Sequence, residues 1–298
     1  MPKIKFNLLK KKILFIINPI SGGLNKTLFP SLIGKYLDLN LFDVQIIYSE
    51  YHGHAKQIAT QGLIDNFEVV VAVGGDGTIN EVASVLESSG KIMGIIPCGS
   101  GNGLARTLKI PLKSSSAIKR LNQLKTAKID VGVINNRKFF NMAGMGFDAH
   151  ISALFAQSQT RGFRGYFKSI IKEIKNYKPQ EYQIEVNGEL IKEQAFMLSI
   201  ANSSQYGNNA HVSPFATIND GKLDLCIIKP FPIYSFPKLV YRMFSKTSNL
   251  SRFVKIIQGN QFKIKRVGIG PIHLDGEPLV MEENLEISIK HLALELVI

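Results

Sequence analysis

The apolar positions in the first third of this chain come in short unbroken runs, each ending in a polar or glycine-rich stretch. The clearest is Val69-Val70-Val71-Ala72-Val73, a β-branched run that suits a strand buried on both faces. Three glycines follow around one carboxylate, Gly74, Gly75, Asp76 and Gly77. Thr78 and Glu81 then stand at the spacing of a capping box, which predicts a helix starting there. The same order recurs. Residues 13–17 lead into Asn18-Pro19-Ile20-Ser21-Gly22-Gly23 and a helical stretch over 24–37. Residues 44–48 lead into Ser49-Glu50-Tyr51-His52-Gly53 and a helix over 54–63. Residues 92–96 lead into Pro97-Cys98-Gly99-Ser100-Gly101-Asn102-Gly103 and a short helix ending near Ile110-Pro111. Repeated strand, loop and helix predict a parallel sheet with helices on both faces. Its four loops would gather at the carboxyl edge, where open α/β sheets bind ligands.

After a helix predicted over 114–124 the pattern changes to period two. Strands are expected at 131–134, 139–143, 184–186, 195–201, 223–228, 253–258, 262–264, 285–289 and 292–297. Asn187-Gly188 suits a type I′ hairpin turn, and Asp220-Gly221 and Asp275-Gly276 supply further turns. Helical insertions are expected near 147–177 and 233–245. The reading is therefore α/β followed by antiparallel β, with domains at 1–128 and 129–298 and the last residues free to return to the first domain.

Composition narrows the function classes. The chain has 298 residues, 45% hydrophobic and 20% charged, the balance of an ordinary globular protein. No apolar run approaches the ~20 residues of a spanning helix. The run at 13–17 is too short for a signal segment, and two cysteines, Cys98 and Cys226, suit a reducing interior. A formal charge of +13 calls for an anionic partner: nucleic acid, an acidic membrane surface or nucleotide phosphates.

Motifs exclude more. There is no GxxxxGK[ST] phosphate loop, no GxSxG elbow and no metal spacing such as HExxH among the six histidines. The run from Gly99 has Leu104 where a dinucleotide fingerprint needs its third glycine. What remains is phosphate held by backbone amides at glycine turns and helix starts, with carboxylates left for Mg²⁺ and proton transfer.

At this point the residues resemble a known family. Gly74-Gly75-Asp76-Gly77-Thr78-Ile79-Asn80-Glu81 is similar to the GGDGTxxE motif of the lipid kinases built on the diacylglycerol kinase catalytic domain. Asn18-Pro19-Ile20-Ser21-Gly22 resembles their NPxSG loop, and Pro97-Cys98-Gly99-Ser100-Gly101-Asn102 their PxGSGN loop. Asn141 to Asp148 resembles N-x-x-G-x-G-x-D; Asp220-Gly221-Lys222-Leu223-Asp224 and Leu274-Asp275-Gly276-Glu277 resemble DGxLD and LDGE. The resemblance covers nearly the whole chain, in order. It implies a Rossmann-like nucleotide domain, as in NAD kinases, and a C-terminal antiparallel β-sandwich. Carried over, it implies ATP binding by Asn18, Pro19, Ser21, Gly22, Ser49, Gly74, Gly75, Asp76, Gly77, Thr78, Asn80, Glu81, Ser100 and Asn102. Asp76 would orient nucleotide and Mg²⁺, Glu277 would be the general base with Asp275 beside it, and Asp220 with the carbonyls of Thr217 and Lys222 would hold a structural Mg²⁺. One departure stands out: Gly103 follows Asn102, where bacterial diacylglycerol kinases carry an aspartate. That form is closer to the sphingosine kinase branch, so the acceptor stays open between diacylglycerol, a sphingoid base and another lipid alcohol.

Two stretches interleave basic and apolar residues. One runs from Arg161 through Arg164, Lys168, Lys172 and Lys175 to Lys178; the other, over 236–253, carries Lys238, Arg242, Lys246 and Arg252. Each reads either as an amphipathic helix packed on the β domain or as an attachment to anionic lipid. The expected protein is a cytoplasmic kinase at the inner face of the membrane, with ATP and lipid as partners and no nucleic acid. Its oligomeric state is open, a homodimer being one reading. The rival readings are an NAD kinase-like soluble kinase and a non-catalytic nucleotide-binding protein.

Overall fold

The computed structural model describes residues 10–23, 26–157 and 173–298. In the first part of the chain β1 (Lys11–Ile17) is followed by α1 (Phe29–Tyr36), β2 (Phe42–Tyr48), α2 (His54–Ile64), β3 (Val69–Gly74), α3 (Asp76–Leu86) and β4 (Ile92–Pro97). Then come α4 (Gly103–Thr107), α5 (Ser114–Leu121), β5 (Thr126–Ile134), β6 (Arg137–Phe139), β7 (Met142–Gly146) and α6 (Phe147–Gln157). Next are β8 (Gln180–Val186), β9 (Glu189–Ala195), β10 (Met197–Ala201), β11 (Gln205–Gly207), β12 (Ala210–His211), β13 (Leu223–Ile228) and α7 (Phe236–Phe244). The chain closes with β14 (Val254–Gly259), β15 (Gln261–Arg266), β16 (Gly270–Leu274), β17 (Glu277–Met281) and β18 (Asn284–Val297).

The chain forms two compact units. One holds the residues up to Gly99, Leu108–Ala127 and Leu294–Ile298; the other holds Ser100–Thr107 and Lys128–Ala293. Unit 1 is an α/β domain whose strands run β2-β1-β3-β4 in parallel, and Glu295 and Leu296 of β18 pair in parallel with Ile92 and Met93 at its edge. The unbroken apolar runs are explained by burial: every residue of β3 is buried, and Ile13 through Ile17 are at most 1% exposed. The helix expected from 24 begins only at Phe29, with Pro30 in its first turn, where a missing N–H costs nothing.

Unit 2 is an antiparallel sandwich. One sheet has the order β14-β13-β10-β7-β16-β17; the other lays β18 beside β15, β8 and β9, with β5 and β6 joined to β18. Between them lies a core that takes Ala143 and Met145 from β7, Leu198 and Ile200 from β10, Tyr182 and Ile184 from β8, and Phe262 and Ile264 from β15. The opposite face of the first sheet is covered as well, by Phe147 and Ile151 of α6 and by Phe236 and Met243 near and in α7. Asn187 and Gly188 have φ of 52° and 81° in a two-residue β8–β9 hairpin, as the type I′ reading requires. The stretch 139–143, expected as one strand, is split between β6 and β7. The stretches 285–289 and 292–297 belong to one strand, β18, which carries Leu292 at φ 48°. β16 and β17 flank the Asp275-Gly276 turn and add two strands to those the patterning predicts. Of the first basic stretch, residues up to Lys172 lie outside the described residues.

Candidate active site

Register decides which loops meet in unit 1. Ile17 lies opposite both Tyr48 and Val73, and Val73 lies opposite Ile96, so four strands end on one level. Asn18, Ser49, Gly74 and Pro97 therefore start their loops in one row along the carboxyl edge. Asn18 donates from Nδ2 to Thr78 Oγ1 at 3.0 Å, tying the first loop to the third. Its own Oδ1 accepts the Ile20 N–H at 3.1 Å, and Ser21 Oγ donates to Asn18 O at 3.1 Å, which curls the exposed Pro19 turn. Ser49 is buried and donates its N–H to Ile17 O at 2.9 Å. Gly22, at φ 61°, crosses the fourth loop so closely that a Cβ would overlap the Cys98 carbonyl oxygen; one on Gly75 would lie 3.4 Å from Gly99 Cα. Glycine at these positions is a packing requirement between loops.

The capping box does not form. Gly75 is the N-cap of α3, the helix begins at Asp76, and no side chain caps it. Thr78 is buried against the first loop instead. Glu81 turns toward α2, where Oε1 accepts the Gly53 N–H at 2.9 Å and Oε2 the Lys56 N–H at 3.2 Å. A carboxylate at the N-terminus of α2 satisfies orphan donors and opposes the helix dipole. Glu81 thus organises the second loop rather than pointing outward. Asp76 and Gly77, in the first turn of α3, and Asn80, a turn later, are half-buried.

Substituting Gly22→Ala is expected to force the two loops apart. At φ 61° an alanine costs about 1–3 kcal/mol in backbone strain alone. The measurement is the rise in Tm on adding ATP, expected in the wild type and lost in the variant; an unchanged ATP-induced rise would show the crossing is not needed.

In unit 2 the end of the fourth loop and the LDGE turn meet on one side chain. Ser100 is exposed, and Asn102 is buried at φ 52°. The loop then packs on Asn141: a Cβ on Gly103 would lie 2.5 Å from Asn141 Nδ2 and 2.7 Å from the Tyr206 carbonyl. Any side chain at position 103 would have to displace both. Asn141 Nδ2 donates to Gln205 O at 3.1 Å, its Oδ1 accepts from Ser203 Oγ, and its backbone N–H goes to Asp275 Oδ1 at 2.8 Å. Asp275 also accepts the N–H groups of Phe140 and Met142, each at 3.0 Å. This is the break between β6 and β7: three consecutive amides leave the sheet ladder for one carboxylate. Asp275 sits at φ 51° and Gly276 at 91° in the tight β16–β17 turn, and Glu277 opens β17, exposed to solvent.

Sequence reasoning missed the group beneath this turn. Asp148, buried, accepts from Tyr206 OH at 2.8 Å and from His273 Nε2 at 3.0 Å; His273 Nδ1 faces the Gly276 N–H at 3.4 Å. Burial, reinforced by the Asp148 charge, pushes the Tyr206 phenol well above its ordinary value, so it stays a donor. A Cβ on Gly144 would overlap both Asp148 and His273 Nε2, so the spacing of Gly144 and Asp148 in the quoted motif was the available signal.

The predicted metal residues lie together in the 217–222 loop. Asp220 is exposed and its Oδ1 accepts the Lys222 N–H at 3.0 Å; Thr217 is exposed beside it. The fully buried Asp130 pins this loop, accepting the Gly221 N–H at 2.7 Å on Oδ2 and the Leu292 N–H at 2.7 Å on Oδ1, with His291 Nδ1 at 2.8 Å. Only hard oxygen donors are offered, which fits a hydrated Mg²⁺ rather than a closed cage. Among the described residues no three His, Cys, Asp or Glu side chains converge as a metal cluster.

An α/β unit with phosphate-type glycine loops, followed by an antiparallel sandwich carrying a carboxylate turn, defines the class of NAD kinase-like two-part folds. Comparison agrees: the fold is similar to that of an NAD kinase from Archaeoglobus fulgidus, TM-score 0.52 at 11% identity, covering 96% of this chain and 93% of that one. It is closer to a diacylglycerol kinase structure from Bacillus anthracis, TM-score 0.74 at 19% identity and 96% of both chains. Residues 12–134 match the diacylglycerol kinase catalytic domain, and residues 141–297 match the YegS C-terminal NAD kinase beta sandwich-like domain. The chain belongs to this family. Among curated proteins it is 32% identical to the "Probable lipid kinase YegS-like" protein of Klebsiella pneumoniae over 246 residues, 80% of each chain. It is 25% identical to the diacylglycerol kinase of Bacillus subtilis over 277 residues, 90% of each. No helix among the described residues is long and apolar enough to cross a membrane.

Proposed function

We propose that this protein transfers the γ-phosphoryl group of ATP to the hydroxyl of a membrane lipid. The observation that carries the reading is that the Ser100–Thr107 segment and the Asp275–Gly276 turn, which leads into the exposed Glu277, both rest on Asn141 within unit 2. Glu277 takes the proton of the lipid hydroxyl, whose oxygen attacks the γ-phosphorus as the bond to the β-bridging oxygen breaks and ADP leaves. Asn18, Pro19, Ser21, Gly22, Ser49, Gly74, Gly75, Gly77, Thr78 and Asn80 shape the row of loops for the phosphates, with Ser100 and Asn102 from the fourth loop. Asp76 orients the nucleotide. Asp275 holds the turn that carries Glu277, and Glu81 holds the second loop.

Mg²⁺ supplies neutralisation of developing charge when bound with nucleotide. A second Mg²⁺ in the 217–222 loop would take Asp220 and the carbonyls of Thr217 and Lys222, stiffening unit 2. The family names of relatives support a lipid acceptor, and the charge of +13 supports work at an anionic cytoplasmic surface.

The test is Mg²⁺-dependent transfer from labelled ATP in mixed micelles to diacylglycerol, sphingosine, ceramide and phosphatidylglycerol, with NAD as a soluble acceptor. A labelled lipid that disappears with EDTA and with Asp76→Ala supports the reading; labelled NAD with no labelled lipid overturns it.

A further inference from the structure

Charge is unevenly spread along unit 2. From residue 225 to 274 there is no aspartate or glutamate, while nine lysines and arginines occur. α7 lies inside this stretch and is amphipathic on both counts. Its inner side, Phe236, Leu239 and Met243, is turned toward unit 2: Leu239 is buried, and Phe236 and Met243 pack on the cluster covering the outer face of the first sheet. The helical spacing puts Pro237, Tyr241 and Phe244 on the opposite side with Lys238 at their margin. Tyr241 is 71% exposed and Phe244 46%. The 3-10 turns flanking the helix pack against it and continue the surface, with Tyr234 76% exposed before it and Leu250 65% after it. Lys238, Lys246 and Arg252 are exposed along the same stretch.

Single exposed apolar side chains are ordinary; aromatics gathered on one helix face within an acid-free cationic stretch are not. Apolar side chains with a cationic fringe match one partner chemistry well, a bilayer surface with anionic headgroups. Tyr and Phe rings gain by entering the headgroup boundary, and Lys and Arg gain from the negative surface potential. We propose that the outer face of α7, with Tyr234 and Leu250, docks this protein on an anionic membrane surface. The inference rests on the lipid-kinase reading for its purpose, and gives that reading the face by which the enzyme meets its substrate. α7 lies flat in the interface, with Tyr241 central and Lys238 and Arg252 at the headgroups.

The experiment is co-sedimentation of the full chain with vesicles of phosphatidylcholine alone or mixed with phosphatidylglycerol. It compares wild type with Tyr241→Ser/Phe244→Ser and with Lys238→Gln/Arg252→Gln. All four side chains are exposed, so the variants should fold, and matched Tm values check this. The wild type is expected to bind the mixed vesicles and the aromatic variant to bind about tenfold less. The charge variant should lose the preference for the anionic mixture. Turnover of a short-chain lipid dispersed below its micelle concentration should be unchanged in both variants, while turnover of vesicle-borne lipid falls with binding. Wild-type affinity retained in both variants would overturn the proposal, as would patch-dependent binding to RNA or to a protein with none to vesicles. If no lipid is phosphorylated but vesicle binding still depends on the patch, the kinase reading fails and the docking face stands.

Discussion

Replacing Glu277 by glutamine is expected to lower kcat by about 10²–10⁴-fold, the usual contribution of a general base, while leaving the unfolding transition unchanged. The two expectations come from different facts. An alcohol is a weak nucleophile near neutral pH, and a carboxylate that accepts its proton matters only as the phosphorus–oxygen bond forms, so kcat falls more than KM rises. Glu277 itself is exposed at the start of β17, and the amide has nearly the same shape, so little packing is at stake. Steady-state kinetics with the lipid found by the micelle assay, alongside thermal unfolding, decide the matter. Undiminished kcat in Glu277→Gln would remove it as the base.

Two residues earlier, the opposite division is expected. Asp275→Ala should cost about 3 kcal/mol or more in stability, because it strips the acceptor from the amides of Phe140, Asn141 and Met142 at once. Alanine is also disfavoured at φ 51°, whereas asparagine tolerates it and keeps one acceptor oxygen. A drop in Tm of roughly 6–12 °C for alanine, and about half of that for asparagine, is the corresponding shift. Activity should fall along with the disordering of the turn and recover in large part in Asp275→Asn. An alanine variant that is inactive yet melts with the wild type would instead give Asp275 a direct part in the chemistry. The pair of substitutions thus separates the carboxylate that reacts from the carboxylate that holds it.

Why this separation was not legible in the sequence is a matter of distance along the chain. Asp275-Gly276 announces a turn locally, through the preference of Asp and Gly for positive φ, and the turn is there. The three amides that Asp275 collects lie more than 130 residues away, where the apolar run 139–143 reads as one strand. Only the sandwich brings them within 3.0 Å and breaks the strand. Thr78 and Glu81 make the same point in unit 1. Their spacing fits a capping box, yet the nearer offers in the folded chain are Asn18 for one and the start of α2 for the other. Asp148 and His273, 125 residues apart, are brought together only when β7 and β16 pair, and the motif spacing of Gly144 and Asp148 is the one local sign of it.

What the sequence determined by itself was set by short-range physics. Apolar runs of five residues between glycine loops specify strands buried on both faces, and period-two patterning specifies the sandwich, since burial of one or both faces dictates residue type along the strand. The Asn-Gly and Asp-Gly turns follow from backbone φ alone. Tertiary structure decided the rest. Parallel register brought four loops to one level, packing set Gly103 against Asn141, and long-range pairing chose which carboxylates are consumed by backbone amides and which remains exposed. A carboxylate's chemistry depends on how many donors surround it, and that number is a property of the fold rather than of the motif in which it is written.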